Sequence, residues 1–74
     1  MFKKAKLKKE IEKSKKQIEL LEQKRTRSQA ALVEAILLKT TPKDGDVDYF
    51  NQFTRQIEEE RARLHELMTE LESL

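Results

Sequence analysis

The sequence lacks cysteine and tryptophan, and it has a single glycine, Gly45, and a single proline, Pro42. Without cysteine the chain forms no disulfide and offers no thiolate to a metal, which fits a reducing compartment. One glycine and one proline in 74 residues supply little of the turn chemistry that a compact sheet protein needs. Charged residues make up 41% of the chain and apolar residues 36%, a balance typical of long helices and coiled coils.

Long hydrophobic runs are also absent. The longest, from Ala30 to Leu38, is interrupted by Glu34 and is far shorter than the ~20 residues that span a bilayer. No phosphate-binding loop, nucleophile constellation or metal-ligand spacing occurs, and so short a chain has little material for a concave pocket. We therefore expect a cytoplasmic protein that is not an enzyme and that uses no cofactor and no metal.

A seven-residue repeat opens the chain. Residues 6–12 read KLKKEIE and residues 13–19 read KSKKQIE, the pattern of a helix with a supercoiled seam. With Ile11 and Ile18 at heptad position a, the remaining seam positions are Leu7, Ser14, Leu21, Arg25, Ser28, Leu32 and Ala35. This frame predicts a first helix over residues 4–39.

A second periodic segment follows a break at residues 40–47. Pro42 disfavours helix at Thr41, Gly45 permits a positive φ, and Asp46 or Asp48 is placed to cap the next helix. Residues 48–73 are predicted to be helical. Their a positions are Phe50, Ile57, Leu64 and Leu71, and their d positions are Phe53, Glu60, Leu67 and Leu74. The sequence thus predicts an all-α fold, an antiparallel two-helix hairpin forming one domain over residues 1–74.

The predicted register follows from closing the hairpin around residues 43–44. Ser14 then lies level with Leu74, and residues 1–13 extend beyond the second helix by roughly 20 Å. Glu60, the polar residue in the second seam, meets Arg25 and Ser28, forming a polar layer that fixes the register.

Two regions are predicted to need a partner. The overhang leaves Leu7 and Ile11 uncovered, and the loop end carries more apolar surface than one neighbouring helix can bury. The predicted interface residues at the loop end are Leu32, Val33, Ile36, Leu37, Tyr49, Phe50 and Phe53. We expect a homodimer that forms a four-helix bundle, or a complex with a helical protein. The expected function is protein–protein interaction or oligomerisation, of the adaptor, regulator or co-chaperone type.

The lysines of the first helix support an alternative function. Eight lysines lie within residues 1–17, and Lys13, Lys15 and Lys16 are expected to face Glu66, Glu70 and Glu72 of the second helix. The lysines left free are Lys3, Lys4, Lys6, Lys8 and Lys9. They are either a solvated helix face or a contact for the phosphates of a nucleic acid, as in a nucleic-acid-binding regulator. Binding to a membrane surface is disfavoured because the apolar face of Phe2, Leu7 and Ile11 is thin.

Two further features are assigned structural roles. Residues 44–48 read DGDVD, but a calcium loop starting at Asp44 would need Gly and Glu where Tyr49 and Arg55 stand. Turn and cap chemistry explains the aspartates. His65, the single histidine, falls on the solvent-facing b position without the companions that a metal site or a general base requires.

Overall fold

The computed structural model describes residues 2–74 as two helices, α1 (Phe2–Leu37) and α2 (Asp44–Glu72). Lys3, near the start of α1, reaches Glu70, near the end of α2, so the helices run antiparallel. The hairpin measures 57 × 15 × 14 Å. The predicted helical hairpin is confirmed, although Met1 of the predicted domain lies outside the described residues. Neither helix is long and apolar enough to cross a membrane within residues 2–74.

The predicted heptad frame coincides with the buried seam. The buried residues of α1 all occupy a or d positions: Leu7, Ile11, Ser14, Ile18 and Leu21. Arg25, Ser28, Leu32 and Ala35, the next four seam positions, are half-buried. In α2, Ile57 is fully enclosed at 0% exposure, and the other seam positions from Phe50 to Leu71 are half-buried. The seam is therefore tightest along the N-terminal half of α1 and looser towards the loop.

The chain leaves α1 two residues earlier than predicted, at Leu37. Lys39 adopts a left-handed conformation with φ 57°, and its N–H donates to the carbonyl of Ile36 at 3.1 Å. The N–H of Thr40 donates to the carbonyl of Ala35 at 2.9 Å. These two bonds form a Schellman motif, whose left-handed position usually holds glycine. The positive φ expected at Gly45 is thus at Lys39, and Gly45 is helical.

Helix α2 begins four residues earlier than predicted, at Asp44. The N-cap is Lys43, whose extended backbone places its carbonyl to accept N–H bonds from Asp46 at 3.0 Å and Val47 at 3.2 Å. The Lys43 side chain makes no capping hydrogen bond. The capping role predicted for Asp46 or Asp48 is therefore wrong. Asp44 and Asp46 instead lie in the first turn, where negative charge favours a helix N-terminus.

These shifted helix ends change the register of the hairpin. The connection is residues 38–43, so the chain reverses about three residues earlier than predicted, and α2 extends further towards the start of α1. Lys3 contacts Glu70, although the predicted register set Lys3 beyond the end of α2. Leu7 and Ile11 are consequently covered, with 5% and 6% exposure. The predicted overhang is wrong, and these two residues are not an open surface for a partner.

Candidate interaction surfaces

A polar bond crosses the buried seam between the two helices. The Ser14 hydroxyl donates to Glu60 Oε1 at 2.8 Å, and Ser14 is only 3% exposed. The same carboxylate oxygen lies 3.9 Å from Arg63 Nη1 on α2. Glu60 therefore bonds to Ser14, whereas the predicted layer paired it with Arg25 and Ser28. The shifted register brings the more N-terminal serine to this level.

The positions beside the seam divide the hairpin into two faces. Heptad position e forms one of them, here named the Ile36 face. It comprises Lys8, Lys15, Glu22, Gln29 and Ile36 of α1, with Val47, Thr54, Arg61 and Met68 of α2. Position g forms the other, the Lys3 face. It comprises Lys3, Glu10, Gln17, Lys24 and Ala31 of α1, with Tyr49, Gln56, Arg63 and Glu70 of α2.

Cross-helix contacts establish both faces. On the Ile36 face, Arg61 Nη2 donates to Glu22 Oε1 at 2.7 Å, and Lys15 and Met68 line one shallow groove. On the Lys3 face, Lys3 Nζ lies 3.9 Å from Glu70 Oε1.

The loop end carries most of the exposed apolar surface. Its exposed large side chains, here named the loop-end patch, are Val33 (45%), Ile36 (67%), Leu37 (75%), Leu38 (65%), Val47 (37%) and Tyr49 (57%). Leu32, Phe50 and Phe53 are half-buried beside it, and the Phe53 ring stacks on Tyr49 with centroids 6.1 Å apart. The patch thus contains four of the residues predicted for an interface, Val33, Ile36, Leu37 and Tyr49.

The predicted interface residues include neither Leu38 nor Val47, and Val47 is the one of these two that lies in α2. It was assigned to the loop because the start of α2 was placed four residues too late. Its spacing of three residues before Phe50 on the α2 seam is the signal that identifies it, because this spacing makes Val47 an e position. Leu38 was likewise assigned to α1, whereas it lies in the chain reversal.

The N-terminal end of α1 presents most of its lysines to solvent. Lys3 pairs with Glu70, and Lys15 lies 3.6 Å from Glu12 on its own helix. Among the ion pairs of residues 2–74, none joins Lys13, Lys15 or Lys16 to a glutamate of α2, although Lys15 lines one groove together with Glu72. Within residues 2–74, no ion pair involves the four remaining predicted contacts for a polyanion. These four are Lys4, Lys6, Lys8 and Lys9, all exposed.

The polar chemistry of the surface is dispersed. Across the described residues 2–74, no group of three or more His, Asp or Glu side chains is placed to hold a metal ion. No protein-family model, curated protein or solved structure matches this chain. The two surfaces that stand out physically are the loop-end patch and the lysine-rich start of α1.

Proposed function

We propose that this chain is a protein–protein interaction module that associates through its loop-end patch and performs no chemistry of its own. One observation carries the proposal: Ile36, Leu37 and Leu38 are consecutive and are 67%, 75% and 65% exposed. Burying one such side chain contributes about 1.5–3 kcal/mol. Three adjacent ones therefore represent a substantial driving force for association.

The arrangement of apolar residues around α1 supports the same proposal. Near the connection, apolar side chains occupy the seam at Leu32 and the outer surface at Val33 and Leu37. Apart from the exposed Glu34, this part of α1 therefore carries apolar side chains on more than one side, and such a helix is normally covered on more than one side. The single neighbouring helix α2 covers only the seam side, so at least one further helix is needed to cover the rest. A second copy of the hairpin, completing a four-helix bundle, is the first candidate, and a helical partner protein is the second.

The contrast between the two ends of the hairpin indicates where the partner is needed. At the end that carries the termini, Leu7 and Ile11 are enclosed by α2. The exposed large apolar side chains at that end are Phe2 (94%) and Leu74 (58%), fewer than the six of the loop-end patch. A partner that binds the loop end would therefore bury the largest amount of exposed apolar surface.

Sedimentation equilibrium from about 10 to 500 μM tests the proposal, a range that covers weak association. We expect the apparent mass to rise with concentration above the 8.8 kDa of a single chain. A well-folded monomer over the whole range, checked by far-UV circular dichroism, would reject self-association.

The exposed lysines support an alternative function, a nucleic-acid-binding regulator. Lys4, Lys6, Lys8 and Lys9 project from the start of α1 without ion-pair partners among residues 2–74, and each can neutralise one phosphate. Such binding weakens steeply between about 50 and 200 mM salt. A fluorescence anisotropy titration with duplex DNA and duplex RNA tests it. Equal binding by the native chain and by the triple variant Lys6→Glu, Lys8→Glu, Lys9→Glu would reject it.

A further inference from the structure

We propose that the outer side of α1 binds the phosphate backbone of a double-stranded nucleic acid without reading its sequence. The contact is a straight row of four lysines, here named the lysine row: Lys6, Lys9, Lys13 and Lys16. This inference rests on the nucleic-acid alternative given above and deepens it, because it names the residues, the side of the helix and the form of the nucleic acid. It does not depend on the loop-end patch.

Helical spacing places the four lysines on one line. They are three, four and three residues apart, and at ~3.6 residues per turn this keeps them within roughly 80° of one another around α1. They occupy heptad positions c and f, on the side of α1 opposite the seam. Along the helix axis the row is about 15 Å long at ~1.5 Å per residue. Ammonium groups in such a line can meet successive phosphates of one strand.

The lysine row is exposed and free of ion pairs. All four lysines are exposed, and within residues 2–74 none of them takes part in an ion pair. Lys13 and Lys16 were expected to face glutamates of α2. The structure therefore adds these two lysines to the surface that a polyanion can reach.

The nearest carboxylates on α1 flank the lysine row. Glu12, at heptad position b, lies 3.6 Å from Lys15 on the side away from the row. Glu19 is exposed three residues after Lys16, and Glu10, at position g, is half-buried. Ion pairs between such neighbours on an exposed helix surface are weak. These carboxylates therefore do not withhold the lysines from a phosphate.

Charge is divided between the two helices. Residues 2–37 carry eleven basic and five acidic residues, whereas residues 44–72 carry three basic and nine acidic ones. The glutamates on the outer side of α2, Glu58, Glu59 and Glu66, lie across a hairpin that is 15 Å wide. Because the Debye length is about 8 Å at physiological salt, they are largely screened from the lysine row. A polyanion is thus attracted to the α1 side and repelled from the α2 side.

The lysine row has the chemistry that binds phosphates and lacks the chemistry that reads bases. A lysine ammonium is a compact charge that neutralises one phosphate. Among positions c and f of residues 2–20 there is no Arg, Asn or Gln, the side chains that most often read base edges. Stacking of successive unpaired bases uses several aromatic rings, and Phe2 is the single aromatic residue before Tyr49. A duplex bound by its backbone is therefore the form that fits.

A flat anionic membrane fits this side of α1 less well. It would meet heptad positions b and g together with the row, and would bring Glu10, Glu12 and Glu19 against its negative charge. The exposed large apolar side chains on this side, Phe2 (94%) and Leu20 (51%), lie at opposite ends of the row. A helix that lies in a membrane interface has a continuous apolar face. The backbone of a duplex is a narrow ridge, which can follow the row between the flanking carboxylates.

Four phosphate contacts predict weak binding that depends on salt. Each neutralised phosphate contributes about −0.9 to the slope of log K against log salt, so the row predicts a slope of about −3.6 on duplex DNA. Affinity should therefore fall about tenfold when the salt concentration rises from about 50 to 100 mM.

Fluorescence anisotropy titrations with a labelled duplex DNA of about 20 base pairs, at about 30–100 mM salt, test the lysine row. Lys13→Gln removes one contact, so it should weaken binding about tenfold at about 50 mM salt and reduce the slope by about 1. Lys13→Arg keeps the charge and should bind like the native chain. The matched control is Lys8→Gln. Lys8 is also exposed and without an ion pair in residues 2–74, but it lies on the Ile36 face, so its loss should weaken binding less than about threefold.

The alternative results are distinguishable. Equal losses from Lys13→Gln and Lys8→Gln would show that the whole end of the hairpin attracts DNA, which overturns the row and leaves the nucleic-acid alternative standing. No binding by the native chain at about 30 mM salt overturns both and leaves the loop-end patch untouched. A difference of more than about tenfold between two duplexes of unrelated sequence overturns backbone recognition.

Vesicles containing phosphatidylserine test the membrane as the other polyanion. Co-sedimentation with these vesicles, compared with the duplex at the same salt concentration, should show weaker binding to the vesicles. Tighter binding to the vesicles, lost in Lys13→Gln, would overturn the choice of a nucleic acid.

Discussion

The hydroxyl of Ser14 donates a hydrogen bond to Glu60 Oε1 at 2.8 Å, across the buried seam of the hairpin. Ser14 interrupts the apolar seam of α1, and Glu60 interrupts that of α2. Because each polar residue finds the other, neither leaves a buried group without a partner. A slip of one heptad in either direction breaks the bond and sets Ser14 or Glu60 against an apolar residue. This pair therefore holds the register of the two helices.

Removing the hydroxyl tests the role of this bond. Ser14→Ala leaves the Glu60 carboxylate, whose side chain is 19% exposed, without its donor from α1. We expect the free energy of unfolding to fall by ~1–2 kcal/mol in urea denaturation at fixed protein concentration. Ser28→Ala is the matched control, since Ser28 holds the same heptad position but makes no bond to Glu60. A similar loss from both variants would contradict the assignment.

The chain reversal predicts a stabilising substitution at Lys39. Its φ of 57° strains any side chain but suits glycine. Lys39→Gly should therefore raise the free energy of unfolding by about 1 kcal/mol, measured by urea denaturation. Lys39→Ala keeps the strain of a Cβ atom and should leave stability nearly unchanged. A gain from alanine equal to that from glycine would show that the backbone conformation is not the cause.

The N-terminus of α2 predicts a second gain. Lys43 occupies the N-cap without a side-chain hydrogen bond to the first turn. Lys43→Ser supplies an oxygen that can accept from a free N–H of that turn, and it should stabilise the fold by ~0.5–2 kcal/mol. Thermal unfolding followed by circular dichroism measures the change. Lys43→Ala also removes the charge without providing a cap, so an equal effect from alanine would attribute the gain to charge.

The single glycine predicts a third gain. Gly45 lies in the first turn of α2, and a Cβ atom placed there meets no heavy atom within 4 Å. Gly45→Ala should stabilise the protein by ~0.5–1 kcal/mol, because alanine loses less backbone freedom on folding. If Gly45→Ala lowered the melting temperature, residue 45 would not be helical in solution.

The fold and the seam could be predicted from the sequence because burial repeats with the heptad. Ile11, Ile18 and Ile57 occupy the interior as the frame requires. The register of the two helices could not be predicted, because it depends on where α1 ends and where α2 begins. Both of these helix boundaries depart from the usual residue preferences. Lysine holds the left-handed position after α1, at residue 39, and lysine also holds the N-cap of α2, at residue 43.

The error in register affected the predicted exposure of Leu7 and Ile11, which are buried, but not that of Ile36 and Leu37, which are exposed. Leu7 and Ile11 were expected to be open only because α2 was placed too far from them. The prediction of a surface at Ile36 and Leu37 rested on composition around the helix, which a shift of α2 along the axis does not alter. The distribution of apolar and polar side chains around a helix can thus be predicted from the sequence, whereas the register between two helices requires the structure.

Association through the loop-end patch can be tested by sedimentation equilibrium on two matched glutamate variants. Ile36 and Leu20 are both exposed on α1, at 67% and 51%, but only Ile36 belongs to the patch. We predict that Ile36→Glu remains a monomer up to about 500 μM, while Leu20→Glu associates like the native chain. Association of Ile36→Glu at native strength would show that the patch is not the contact surface, and a native chain that stays monomeric throughout would rule out self-association.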